Sequence, residues 1–408
     1  MRRILAITVG GEPDPIMTSV KQHAPDFVLF FVTTRPSGGS RRYLVEDTER
    51  GRSILKSLGL SSEGYEIITL PHFDDFDDCF RRIDAALGEY EGKASERIAD
   101  YTGGTKTMTA AMVAAAILRG WTLSVVGGQR RDTVKVVKGT ELARRVQSAS
   151  ARVALVSSAA RALYVQQEFA GAATLLQELF SQEELPGEES SRLGGLCAFL
   201  RALSAWDRFA YAEALNLLRS APSLWREGPG ILDQIFYEKG LSYRAVEDLV
   251  GNALRRAHQG RYEDAVLRLY RAVELLGQLR LQERGLDPSD LDLDKLLAAR
   301  LPEDLAKRLS QRKEKEGRAW VGLLDAYLVL ATMDDPVGKL FSESWEKRIR
   351  DLLLIRNKLF LEHGLNPVDE ETWQRAHDLA LEFLSEAFQA LGKAFAPVKF
   401  PAWEELGL

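Results

Sequence analysis

The sequence predicts an α/β domain followed by an all-α remainder, on three observations. Up to about Thr140, short runs rich in Ile, Val and Phe alternate with amphipathic helical patterns, the order that builds a parallel, doubly wound sheet. Beyond that point Leu, Ala, Arg and Glu recur at helical spacing almost to the end, with no convincing strand. At 408 residues the chain also exceeds one ordinary core, so the two patterns belong to separate compact units.

Strands are expected at Arg3–Val9, Phe27–Thr33, Tyr65–Leu70, Arg97–Thr102, Thr122–Gly127 and Thr133–Lys138. Helices are expected between them at Pro15–His23, Asp47–Leu58, Asp74–Leu87 and Thr105–Arg119, several opened by Asp, Thr or Pro at positions that satisfy free amides. In the helical part an aromatic stands three places before an alanine at Phe169/Ala172, Phe209/Ala212 and Tyr262/Ala265. Packed helical hairpins use this pairing because the small alanine admits a neighbouring helix, and the unequal intervals argue against a regular solenoid. Loops are expected at Leu185–Ser191 and Ala221–Gly230. The domain reading is therefore 1–140, a helical connector over 141–250, and a second helical domain over 251–408.

Composition excludes several function classes. A net charge of −5 argues against coating nucleic acid through bulk electrostatics, so any nucleic-acid site is local. Cys79 and Cys197 have no partner at metal-ligand spacing, and five histidines without an HExxH pair leave no metal centre in view. The opening apolar run stops at Gly10 and Glu12, too early for a secretion signal, and Met112–Val126 is interrupted by Arg119. A reducing cytoplasm, with no membrane partner, is the expected compartment.

The string DYTGGTKTM at 100–108 follows an expected strand and opens an alanine-rich helix. Backbone amides and the positive helix end converge there on a spot suited to a phosphodiester, with Gly103 and Gly104 allowing close approach and Lys106 adding a cation. It is not a phosphate loop for nucleoside triphosphates, because Thr105 and not glycine precedes Lys106. A second glycine pair, Gly10 and Gly11, follows the first strand in TVGGEPDPI; in a doubly wound sheet the two turns can meet at the switch point and line one crevice. The four aspartates Asp74, Asp75, Asp77 and Asp78 read as a capped, solvated helix start in preference to a metal cluster.

These two strings resemble the CRISPR-associated Rossmann-fold (CARF) sensor domain over roughly residues 1–140. The resemblance implies a homodimer whose crevices jointly hold a ring of cyclic oligoadenylate, four- or six-membered, with Gly10, Gly11, Thr102, Gly103, Gly104, Thr105, Lys106 and Thr107 as ligand contacts. Arg35, Ser37 and Gln129 sit in other strand-end loops as secondary candidates.

Near the end, RNKLFLEHG follows a leucine-rich amphipathic run from Trp345 and ends on Gly364, which with Pro367 supplies a helix stop. His363 is therefore expected in the last helical turn, where seven positions bring it to within about 20° of Arg356, on the same face and about 10 Å along the axis. RNA cleavage without a metal needs a proton-transfer group and a cation for charge growing on phosphorus; His363 and Arg356 suit those roles, and Asn357 could orient either. The string resembles the HEPN ribonuclease signature, and Arg261–Gly285 is similar to the helical part of CARF–HEPN proteins of type III CRISPR defence. Arg268, Arg271 and Glu274 read there as an ion-pair ladder, with a place in the RNA cleft as the alternative. Leu359 departs from the small polar residue that similar sequences carry, which puts the strength of the activity in doubt.

The resemblance thus implies a cyclic-oligoadenylate-activated, metal-independent endoribonuclease on single-stranded RNA, leaving 2′,3′-cyclic phosphate ends. The alternatives are a non-catalytic sensor or adaptor, and a ring nuclease that degrades its own ligand.

Overall fold

The computed structural model describes residues 2–35, 39–49, 51–128, 139–182, 185, 187–221, 224–236, 242–297, 301–359 and 367–406. Two compact units divide the chain: Met1–Ser158 with Glu178–Leu185, and Ala159–Gln177 with Pro186–Leu408.

In the first unit the elements run β1 (Arg3–Thr8), α1 (Pro13–His23), β2 (Phe27–Val32), α2 (Arg41–Val45), α3 (Ile54–Leu58), β3 (Tyr65–Thr69), α4 (Phe76–Glu89), β4 (Glu96–Asp100), α5 (Lys106–Arg119), β5 (Thr122–Gly127) and β6 (Leu142–Val146). The sheet order is β3-β2-β1-β4-β5-β6, with five parallel strands and β6 antiparallel. Alternation along β1 divides the core between two layers. Ile4 and Ala6 pack with Ile83, Met108 and Ala115 of α4 and α5, whereas Leu5 and Ile7 pack with Ile16, Val20 and Ile54 of α1 and α3. A parallel sheet covered on both faces needs such continuously apolar strands.

Two expectations are corrected here. The helix expected over Asp47–Leu58 is confined to Ile54–Leu58: the Asp47 carboxylate accepts from Ser53 N (2.9 Å), Thr48 and Gly51 exchange backbone bonds, and Ser53 caps α3. A side-chain acceptor here outcompetes the helical ladder. A strand does follow Thr140, namely β6, whose half-exposed sequence LARRV hides it among helical residue types. The strand expected at Thr133–Lys138 lies outside the described residues.

The second unit is helical. The division between units falls inside α6 (Ala149–Val165), after which come α7 (Phe169–Gln182), α8 (Gly187–Asp207), α9 (Tyr211–Ser220), α10 (Gly228–Phe236), α11 (Tyr243–His258) and α12 (Tyr262–Glu283). They continue as α13 (Leu293–Leu297), α14 (Glu303–Glu316), α15 (Leu323–Thr332), α16 (Pro336–Leu340), α17 (Glu346–Asn357) and α18 (Glu370–Ala390), with a π-helical turn, Phe341–Trp345, leading into α17. Helix α8 starts at Gly187, so the loop expected over Leu185–Ser191 is shorter than its composition suggested. No helix among the described residues is long and apolar enough to cross a membrane.

The aromatic–alanine pairs mark hairpin turns, with one change of register. Gln167, Phe209 and Gly260 adopt left-handed φ of 62°, 63° and 71°. After each, the same pair of backbone bonds closes the turn: Gln167 N to Tyr164 O and Glu168 N to Leu163 O, Phe209 N to Trp206 O and Ala210 N to Ala205 O, Gly260 N to Ala257 O and Arg261 N to Arg256 O. In that register the second pair is Tyr211/Ala214, not Phe209/Ala212; Ala214 is buried like Ala172 and Ala265, whereas Ala212 is exposed.

The tail after α18 straps this unit. Val398 N donates to Glu247 O, Ala396 N to Glu247 Oε1, and a side chain at Gly251 would lie 2.1 Å from Val398 O. Phe400 sits under the Arg255 guanidinium (3.9 Å), and Tyr164 OH donates to Pro401 O (2.6 Å).

Left-handed backbone costs a residue with a Cβ about 1 kcal/mol or more. Gln167→Gly is therefore expected to raise the midpoint of chemical unfolding by about 1 kcal/mol of stability. An unchanged or lower midpoint counts against the turn geometry given for α6 and α7.

Candidate functional site

In the first unit, the strand order reverses between β1 and β4, and the turns that leave these two strands meet. Thr8 Oγ1 donates to Gly103 O (2.6 Å). An added Cβ at Gly10 would lie 2.8 Å from Gly104 N; at Gly103 it would lie 2.5 Å from Thr8 O and 2.8 Å from Gly10 N. The glycines are there because the two backbones interlock with no room for side chains. Helices α1 and α5 both begin at this junction, so two positive helix ends lie beside it.

Of the residues singled out by sequence, Gly10, Gly11, Thr102, Gly103, Gly104, Thr105, Lys106 and Thr107 are brought to this junction. They are not equivalent. Thr105 Oγ1 accepts from Met108 N (3.2 Å) as the cap of α5 and donates to Phe73 O (2.9 Å), while Thr102 Oγ1 accepts from Val126 N (2.7 Å). Those hydroxyls hold the turn. Gly11, Gly104 and Lys106 are exposed, and Thr107 is half-buried. Arg35 is exposed in the loop after β2. Ser37 and Gln129 lie outside the described residues.

Beneath the turn lies a polar network that sequence reasoning missed. Asp100, fully buried at the end of β4, accepts from Thr102 N (2.9 Å), Ser19 Oγ (2.8 Å) and Ser124 Oγ (3.1 Å). Ser124 spends its one proton on Asp100, so His23 Nε2, 2.8 Å away, donates to the serine oxygen. Burial pushes the His23 pKa below its ordinary value; nearby Asp100 opposes that and Arg145 and Arg3 add to it. The signal in the sequence was an aspartate placed directly after Ile98 and Ala99 at the end of an expected strand. Of the four aspartates near the start of α4, Asp75 accepts from Asp78 N (3.0 Å) as the cap, and Asp78 pairs with Arg82.

In the second unit, Arg356 occupies the last turn of α17. Its guanidinium lies over the Tyr270 ring of α12 (5.0 Å) and donates to Asn357 Oδ1 (3.0 Å). The helix ends at Asn357, and its last turn tightens, with Lys358 N on Ile355 O and Leu359 N on Arg356 O. His363 itself lies outside the described residues. Leu359 is buried in the helical core, a packing residue. The ion-pair reading of α12 fits the geometry: Arg271 bonds Glu274 (2.6 Å) and Gln278 (2.9 Å), and Arg268 bonds Asp264 and Asn252. Tyr270 was the group that sequence spacing did not single out.

Residues 237–387 match the family model described as the Csm6 HEPN domain. Both Arg356 and His363 fall inside that match. The solved structure titled Enterococcus italicus Csm6 bound to cyclic hexa-2'-fluoro-hexa-dAMP is similar to the chain with a TM-score of 0.60, at 13% sequence identity, covering 96% of this chain and 95% of that one. At that identity the likeness is one of fold. Comparison with curated proteins returns no match. The family match supports the HEPN part of the resemblance read from the sequence, over residues 237–387, and the structural match agrees with its order of an α/β unit before a helical one.

Two outcomes follow from the junction. Gly103→Ala must separate the turns of β1 and β4, an overpacking that costs about 1–3 kcal/mol in thermal or chemical unfolding; an unperturbed variant would contradict the interlock. His23 takes up a proton more readily unfolded than folded, so stability is intact above about pH 6.5 and falls as pH drops below it. His23→Gln should flatten that slope in unfolding midpoints measured between pH 7.5 and 5, and an unchanged slope would remove the buried-imidazole account.

Proposed function

With a Csm6-type HEPN domain behind a doubly wound sheet as the premise, we propose that the chain is a homodimeric endoribonuclease of type III CRISPR defence, switched on by cyclic oligoadenylate. The carrying observation is the HEPN match over residues 237–387, which holds Arg356 and His363 within one domain. Supporting it is the interlocked glycine junction in the first unit, where amides, two helix ends and Lys106 suit the phosphodiester of a nucleotide ring. The TM-score match to a Csm6 solved with such a ligand agrees with that reading of the junction.

The cleavage chemistry requires proton transfer and charge stabilisation. His363 takes the proton from the 2′-hydroxyl, O2′ bonds to phosphorus, the P–O5′ bond breaks, and the imidazolium so formed returns the proton to the leaving O5′. Arg356 offsets the charge growing on the phosphoryl oxygens, with Asn357 and the Tyr270 ring fixing its direction. The products carry a 2′,3′-cyclic phosphate and a 5′-hydroxyl, and no step calls on a metal ion. A two-fold assembly brings two Arg356–His363 sets to one cleft and gives an even-numbered ring identical contacts on each half. The sensor takes in β6 (Leu142–Val146), beyond the expected 1–140, because that strand pairs with β5; the nuclease part begins by residue 237, ahead of the expected 251.

Turnover of single-stranded RNA, measured in chelator with and without four- and six-membered rings, should rise about 5- to 150-fold with the cognate ring. Arg356→Ala and His363→Ala should each lower the activated rate by about 10²-fold or more while ring binding persists. Ring binding without turnover supports an adaptor, loss of the ring itself during incubation supports a ring nuclease, and activity surviving His363→Ala places the chemistry elsewhere.

A further inference from the structure

A cavity of about 520 Å³ opens on the helical unit, lined by Glu274, Gln278 and Gln282 of α12, by Asp287 and Ser289, and by Trp320. Its size falls within the range of small-ligand sites. Three features bear on its occupant. The first is an aromatic surface: Trp320 is 39% exposed, and Arg312 lies over its ring at 4.3 Å while donating to Asp325 (2.7 Å) and to the Trp320 carbonyl (3.0 Å). The indole is further fixed by its N–H, which donates to Glu316 Oε2 (2.7 Å). A large ring held in place yet left partly in water is a stacking platform.

The second feature is the sign of the lining. Glu274 is held by Arg271, and Asp287 accepts from the hydroxyl and amide of Ser289 (2.7 and 2.8 Å), which keep its carboxyl below the usual range. Two carboxylates at the rim disfavour a phosphate and favour N–H donors. Gln278 and Gln282 add amides that both donate and accept.

The third is position. Tyr270, whose ring lies under the Arg356 guanidinium, is four residues before Glu274 on α12, so the two are neighbours on the helix surface about 6 Å apart along its axis. The cavity therefore begins about one helical turn from the contact that holds Arg356.

We propose that this cavity is a nucleobase subsite: a base of the RNA flanking the cleaved bond stacks on Trp320 and offers its exocyclic amine to the carboxylates. Adenine, cytosine and guanine carry such an amine; uracil presents carbonyl oxygens there and is disfavoured. The inference rests on the ribonuclease reading for its substrate, yet it is testable by binding alone.

The probes are labelled 2′-O-methyl tetranucleotides of adenosine, cytidine and uridine, whose blocked hydroxyl prevents cleavage, titrated by fluorescence anisotropy against the full-length protein in excess unlabelled cyclic oligoadenylate, which occupies the glycine junction. Adenosine and cytidine probes are expected to bind about tenfold more tightly than uridine. Trp320→Ala should erase the difference, Trp320→Phe should preserve it, and Gln278→Ala should narrow it. Equal affinity for the three probes, absence of binding to any of them, or discrimination that survives Trp320→Ala would overturn the subsite. Unmodified RNA incubated with the intact protein reads the nuclease reading separately, so a base-selective binder without turnover refutes that reading and leaves the subsite standing.

Discussion

The first unit is organised around a contact in which no side chain fits. Where the sheet reverses direction, the β1 and β4 turns touch backbone to backbone, with Gly10 and Gly103 closer to each other's main chain than a Cβ permits. Everything nearby serves that approach. Thr8 bonds across it, Thr105 caps α5 and ties the turn to Phe73, and Thr102 fastens it to β5. The buried Asp100 network sets the height of the turn from below, through α1 and β5. For the ring proposed to bind here, turns crowded by their own packing leave backbone amides as the means of recognition, and the positive ends of α1 and α5 add to that field.

The helical unit solves a different problem, namely holding antiparallel pairs without a sheet. Its hairpins share one closing turn, and a buried polar cluster binds successive pairs: Asp207 takes bonds from Asn252 and Arg255 and pairs with Arg256, while Asp248 takes Trp206 and Tyr211. Arg255 Nη2 and Arg256 Nε are buried without a hydrogen-bond partner among the described residues, whereas the paired groups tie α8, α9 and α11 together. Phe400, over which Arg255 stacks, brings the tail into the same cluster. Loss of any member leaves a buried charge unmatched, which makes this region sensitive to substitution.

Legibility in the sequence followed the strength of the local signal. β1, β2 and β5 were readable because strands covered on both faces are largely apolar, β3 and β4 from their shorter apolar centres, and α5 from its threonine cap and glycine stop. Strand β6 was not, since an edge strand with Arg144 and Arg145 has the composition of a helix face. The end of α17 was hidden for the opposite reason: apolar residues continue past Asn357, but Leu359 turns into the core. At the junction, the glycines and Lys106 were legible as a motif, whereas Asp100, Ser19, Ser124 and His23 come from four elements and gain meaning only when the sheet assembles. Tyr270 was invisible likewise, because its partner stands 86 positions away, at Arg356.

A chain with a net charge of −5 draws little long-range attraction for RNA, so discrimination has to come from shape and from groups at contact distance. The strip along α12 meets that demand. Arg271 is braced by Glu274 and Gln278, and Arg356 by Tyr270 and Asn357, so these cations are oriented before any substrate arrives. Preorganised groups lose less freedom on binding than mobile ones, and a charge that need not reorient is more effective at a developing negative centre. On the proposed function, a net-acidic chain with a few braced cations trades general affinity for nucleic acid against selectivity at its site, the balance that a signal-gated nuclease needs.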